Sequence, residues 1–151
     1  MKQDKIDLYI RRLDHVFQNL MRKMSSELAH HMVEGVTESQ FFVMRKINER
    51  GCSKVSDLAE DLCVSLSAIT SLVDKLCKAG LVERGRDEND RRLVLLSLTP
   101  RGKELLDSCL AVRYRISKKY LGQLPEEDIE QLVHIYEKLY ENLCESEKEK
   151  K

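Results

Sequence analysis

Residues 64–102, VSLSAITSLVDKLCKAGLVERGRDENDRRLVLLSLTPRG, pass from a helical period to a strand period with no neutral linker between them. Ile69, Leu72, Val73, Leu76, Cys77 and Leu81 fall on the i, i+3, i+4, i+7, i+8 stripe of a helix lying on a core. The other side carries Ser67, Thr70, Ser71, Asp74 and Lys78, with short hydroxyls near the helix start that let it approach another surface closely. Gly80 is placed to stop the helix in the left-handed region. LVERGR and LVLLSLT then read as two strands around the charged loop DENDRR.

The segments before it predict helices that serve it. Residues 5–32 place Ile6, Tyr9, Ile10, Leu13, Val16, Phe17, Leu20, Met21, Met24 and Leu28 along a helix of about seven turns, longer than a small domain needs. Its surplus apolar face calls for a partner, and a second copy of the chain is the simplest one. Gly35 closes this segment. Thr37 with Gln40 forms a capping-box pattern ahead of Phe41, Val43, Met44 and Ile47, in a helix stopping near Gly51. Ser56 is the expected cap of a short third helix with Leu58, Ala59 and Leu62 inward. Cys63, Val64 and Ser65 make a tight connection, with Ser65 as N-cap of the next helix. Two short helices joined in this way are a helix-turn-helix.

Beyond the hairpin, Thr99 and Pro100 start another helix, with Leu105, Leu106, Cys109, Leu110, Val112, Ile116 and Tyr120 on more than one face, ending at Gly122. Pro125, Glu126, Glu127 and Asp128 start the last helix, striped by Ile129, Leu132, Val133, Tyr136, Leu139, Tyr140 and Leu143. The expected fold is mainly α with a small β-hairpin wing: a winged helix-turn-helix over residues 37–99, flanked by helical dimerisation segments at 1–36 and 100–144, with a solvated tail at 145–151.

With 151 residues, 42% of them hydrophobic, the chain can bury a core. The 26 basic and 26 acidic residues cancel, and residues 50–100 carry eight of each, so any field attracting nucleic acid has to come from local placement. The N-terminus lacks a secretory apolar run, and no stretch approaches the roughly 18 apolar residues of a membrane span, so a cytoplasmic protein without membrane contact is expected. Five cysteines without a CxxC pair read as reduced small hydrophobes.

Major-groove base edges offer donor and acceptor patterns to a helix that enters the groove. Ser65, Ser67, Thr70, Ser71, Lys75 and Lys78 are the candidate readers; Asp74 is out of place there unless a cation pairs with it. Arg84, Arg86, Arg91 and Arg92 put four guanidinium groups on the hairpin, the group favoured in narrow, negative minor grooves. Asp90 is placed to hold one of them through a bidentate pair.

Asp90, Arg91 and Arg92 before LVLLSLT form a D-x-R motif leading into an apolar strand that ends in L-T, and LVDKLCKAGLVER precedes it. In these motifs the chain resembles the MarR (multiple antibiotic resistance regulator) family of bacterial winged-helix transcription factors, over about residues 5–143. The resemblance implies a homodimer on a double-stranded, pseudo-palindromic DNA operator, with residues 65–78 in the major groove. It also implies Arg92 in the minor groove, Asp90 bracing it, and repression relieved by a small molecule or by oxidation.

Peroxide sensors of the family carry a cysteine in the first helix, which residues 5–32 lack. Cys77 lies on the core-facing stripe, where a thiol is packing. The four histidines show no metal-ligand spacing, His30 and His31 standing about 100° apart on a helix, so neither metal nor cofactor is expected. A small aromatic or apolar effector is the remaining switch, in the neighbourhood of Phe17, Met21, Met24, Phe41, Phe42 and Met44. No nucleophile elbow, phosphate-cradling loop or zinc-spaced cluster points to an enzyme. The competing reading is a winged-helix module that binds protein rather than DNA, which the zero net charge suits.

Overall fold

A computed structural model describes residues 2–32 and 35–148. Its elements run α1 (Lys2–His31), α2 (Glu38–Arg50), α3 (Val55–Asp61), α4 (Leu66–Lys78), β1 (Val82–Arg86), β2 (Val94–Leu98), α5 (Pro100–Leu121) and α6 (Glu126–Lys148). The chain divides into two compact units, residues 1–113 and 114–151, with the boundary between them inside α5. The first turns of α5 belong with the hairpin because Leu106 and Cys109 are buried in the same core as α2, α3 and α4.

That core is built from the predicted stripes. Phe41, Val43, Met44 and Ile47 of α2, Leu58 and Ala59 of α3, and Ile69, Val73 and Leu76 of α4 are buried together with Leu81, Val82, Leu96 and Leu98. Thr37 caps α2 as expected: Gln40 N donates to Thr37 Oγ1 at 3.2 Å, and Thr37 N donates to Gln40 Oε1 at 3.0 Å. Gly51 closes α2 at φ 76°.

Ser56 does not cap α3. Lys54 holds that position with no side-chain bond, and the helix begins at Val55. The physical reason is tertiary. Ser53 N donates to Leu96 O at 3.0 Å and Leu96 N to Ser53 O at 2.8 Å, so the chain leaves an extended bridge to β2 and turns directly into the helix.

β1 and β2 pair antiparallel from Val82 with Leu98 to Arg86 with Val94. Thr99 ties this hairpin to the helices on either side. Its hydroxyl donates to Gly80 O at 2.7 Å and accepts from Gly102 N at 3.0 Å, while its N–H donates to Leu81 O at 3.1 Å. One side chain thus closes the end of α4 and opens α5.

Along α1, Leu28 is buried, whereas Ile6, Tyr9, Ile10, Leu13, Val16, Phe17 and Leu20 are exposed. In the second unit α6 has no buried residue; Val133, Tyr136, Leu139, Tyr140 and Leu143 stand exposed. The expected tail is helical as far as Lys148, with residues 145–148 exposed; 149–151 lie outside the described residues. Among the described residues no helix is long and apolar enough to cross a membrane.

Candidate nucleic-acid interface

Ser65 starts α4 as expected, its hydroxyl accepting from Ala68 N at 3.2 Å. Gly80 follows the helix at φ 72°, turning the chain into β1. With Ile69, Val73 and Leu76 held in the core, the opposite face is set by the 3.6-residue period. Leu66, Ser67, Thr70, Ser71, Asp74, Lys75 and Lys78 line one open concavity there. All the predicted helix readers except the capping Ser65 are on it, and Leu66 is an apolar member that sequence reasoning passed over.

Two of these side chains are engaged with the protein. Thr70 Oγ1 donates to Leu66 O at 2.8 Å, so its hydroxyl proton is spent on the helix backbone. Asp74 pairs with Arg84, whose guanidinium donates to the carboxylate; that hydrogen bond raises the Arg84 pKa further above its ordinary value. The pair joins α4 to β1 and supplies the cation that Asp74 lacked in the sequence. Both partners are solvent-exposed, so it stabilises the fold by no more than about 1 kcal/mol.

The four hairpin arginines therefore divide. Arg84 is turned to Asp74, and Arg86 Nη1 donates to the Arg91 carbonyl at 3.0 Å, closing the loop across its base. Arg91 and Arg92 remain at the turn, both exposed. Asp90 Oδ1 accepts from Arg92 N at 3.1 Å and from Arg92 Nε at 3.2 Å. The pairing uses one carboxylate oxygen rather than the two-oxygen fork expected. It orients Arg92 from its root while leaving the side chain 92% exposed. The loop is tightened further by Asn89 N on Asp87 Oδ1 at 2.8 Å and Leu93 N on Asp90 O at 3.0 Å.

A second concavity lies away from this face. Ser25, Leu28, Ala29, Met32, Val36, Thr37, Glu38 and Arg113 line a cavity of about 180 Å³. The Arg113 guanidinium carbon stands 4.5 Å from the Phe41 ring centroid and 5.3 Å from that of Phe42, a stacking attraction for a cation. Its Nη1 lies 3.8 Å from Glu38 Oε1, beyond hydrogen-bond range, and is buried without a hydrogen-bond partner. None of the residues of the expected effector neighbourhood lines this cavity. Phe41 and Met44 are filled core, Phe17 and Met21 are exposed, and the cavity sits at the C-terminal end of α1.

Among the described residues no three His, Cys, Asp or Glu side chains converge as a metal site. His30 and His31 each set Nδ1 against the carbonyl four residues back, at 2.6 and 2.9 Å. Cys77 is half-buried, and burial pushes the Cys109 thiol up, away from the reactive thiolate.

Residues 36–94 match the MarR family, which spans α2 to the start of β2. The chain is 38% identical over 123 residues to the HTH-type transcriptional repressor MdtR of Bacillus subtilis, covering 81% of this chain and 79% of that one. The YusO protein of Bacillus subtilis superposes with a TM-score of 0.68 at 35% identity, over 89% of this chain and 96% of that one. A mutant MarR from E. coli complexed with operator DNA superposes with a TM-score of 0.74 at 26% identity, over 87% and 95%. Fold, hairpin and relatives agree: the chain belongs to the MarR family of winged-helix transcriptional regulators.

Proposed function

We propose that the protein is a homodimeric repressor that binds a pseudo-palindromic DNA operator, with α4 in the major groove and the hairpin tip in the minor groove. The observation that carries this is Arg92, braced by Asp90 at its root and exposed at its tip, beside a helix face of hydroxyls and lysines. Ser67, Ser71, Lys75 and Lys78 face the duplex from α4, Ser65 stands at the N-cap of that helix, and Thr70 contributes lone pairs and a methyl group. Arg91 and Arg92 reach it from the wing, while Arg84 and Arg86 hold the wing in shape. The similarity to a MarR protein solved on operator DNA supports the same docking.

The exposed apolar stripes of α1 and α6 are the dimer contacts. A two-fold dimer presents two copies of α4, and successive major grooves on one face of DNA lie roughly 34 Å apart. Repression is relieved by a small effector that enters the cavity beside Arg113. A ligand with an apolar body and an acidic group would give the Arg113 Nη1 the hydrogen-bond partner it lacks.

The primary test is affinity for duplex DNA as a function of salt. Log affinity should fall linearly with log salt as arginines and lysines displace counterions. A flat response would favour the protein-binding module instead. Arg92→Ala should weaken operator binding by about 1–3 kcal/mol with the dimer intact, measured by fluorescence anisotropy. Unchanged affinity removes the wing from the interface.

Arg84→Gln should weaken binding by about 1 kcal/mol, because it uncovers the Asp74 carboxylate against the phosphates. Adding Asp74→Asn should restore most of that loss. If Arg84 contacts DNA itself, the double variant stays weak.

A further inference from the structure

We propose that Leu66 is a specificity-determining residue that seats the C5-methyl group of a thymine in each operator half-site. The inference rests on the DNA-reading role of α4 and deepens it.

Leu66 is the first residue of α4, the end from which a recognition helix contacts base edges. Its side chain is 58% exposed and contributes nothing to the core. The first helical position gains nothing from leucine: proline or an acid is favoured there, for backbone and dipole reasons. Exposed leucine on a face otherwise made of Ser67, Thr70, Ser71, Asp74, Lys75 and Lys78 needs an apolar surface to cover it.

Thr70 strengthens the point. It stands one turn on, at i+4, and its hydroxyl proton is committed to the Leu66 carbonyl at 2.8 Å. Leu66 and Thr70 therefore form a short strip with apolar character, flanked by the free hydroxyls of Ser67 and Ser71. In the major groove the thymine methyl is the one apolar group that a base pair offers, and the neighbouring donors and acceptors suit hydroxyls.

The test uses duplexes enriched by the full-length protein from a random-sequence library. Thymines are then replaced one at a time by deoxyuridine, which removes only the methyl group. At one symmetric pair of positions, replacement should weaken wild-type binding about four-fold per half-site and about fifteen-fold when both are changed, the worth of a buried methyl group. Leu66→Ala should bind thymine and deoxyuridine duplexes alike at unchanged thermal stability, since alanine is the better helix former. Leu66→Met, which keeps the apolar reach, should retain the preference. A flat deoxyuridine scan in the wild type, or a penalty that persists in Leu66→Ala, overturns the proposal. If no sequence is enriched at all, the sequence-specific DNA reading beneath it fails as well.

Discussion

A Leu13→Glu protein is expected to run as a folded monomer and to lose operator affinity. Leu13 is 67% exposed in the single chain, midway along a stripe whose other members, Tyr9, Ile10, Val16 and Phe17, are also exposed. Burying a leucine is worth roughly 1.5–3 kcal/mol, and two-fold symmetry applies each substitution twice, so dimerisation should weaken by about 3–6 kcal/mol. That is a change of roughly a hundred- to ten-thousand-fold in the dissociation constant. The glutamate carboxylates would add a desolvation cost in the same direction. Sedimentation velocity reads the association state, and circular dichroism checks that the helices persist. They should persist, because Leu13 is exposed and lies outside the buried core. A Leu13→Glu protein that remains dimeric would move the interface off this face of α1.

Gly102→Ala is expected to destabilise the first unit by about 3 kcal/mol, toward the upper end for overpacking of a close contact. A β-carbon at residue 102 would stand 2.0 Å from the Leu81 carbonyl oxygen and 3.0 Å from the Leu81 carbonyl carbon. Both are backbone atoms at the entrance to β1, so neither can swing aside as a side-chain tip would. Helix propensity argues the other way, because alanine is favoured over glycine inside a helix by about 1 kcal/mol. The clash is the larger effect. It should lower Tm by roughly 6–12 °C, read by scanning calorimetry. An unchanged or raised Tm would mean that α5 can slide away from Leu81 without disturbing the wing.

The two substitutions probe different levels of legibility. Leu13 was readable as surplus apolar surface, because a helical stripe that long exceeds what one small domain can cover. Gly102 was not. As a single glycine near a helix start it carries no local signal, and its constraint appears only when Thr99, Gly80 and Leu81 are brought against it. The misplaced cap of α3 has the same origin. Ser56 is a good local N-cap, but the bridge from Ser53 to Leu96 decides where the chain becomes free to turn.

The arginines divide along the same line. Four guanidinium groups between residues 84 and 92 were visible as a basic projection in a neutral chain, and sequence reasoning had no means of separating them. The register of β1 against β2, together with the approach of α4, assigns Arg84 to Asp74 and Arg86 to the loop carbonyl. Arg113 was missed altogether. Its partners Glu38, Phe41 and Phe42 lie more than seventy residues earlier, and a lone arginine on a helix reads as solvated until those groups are placed beside it.

What residues 64–102 determined by themselves is the alternation of helix, turn, strand and charged tip, since hydrophobic period, capping hydroxyls and glycine stops act over a few residues. Those local preferences made the hydroxyl-bearing face of α4 and the motif of Asp90 and Arg92 legible before any packing. Which charges stay available to another molecule was decided only by the tertiary structure. Charge pairing depends on distance in space, and packing α4 against β1 neutralises Arg84 while leaving Arg92 extended.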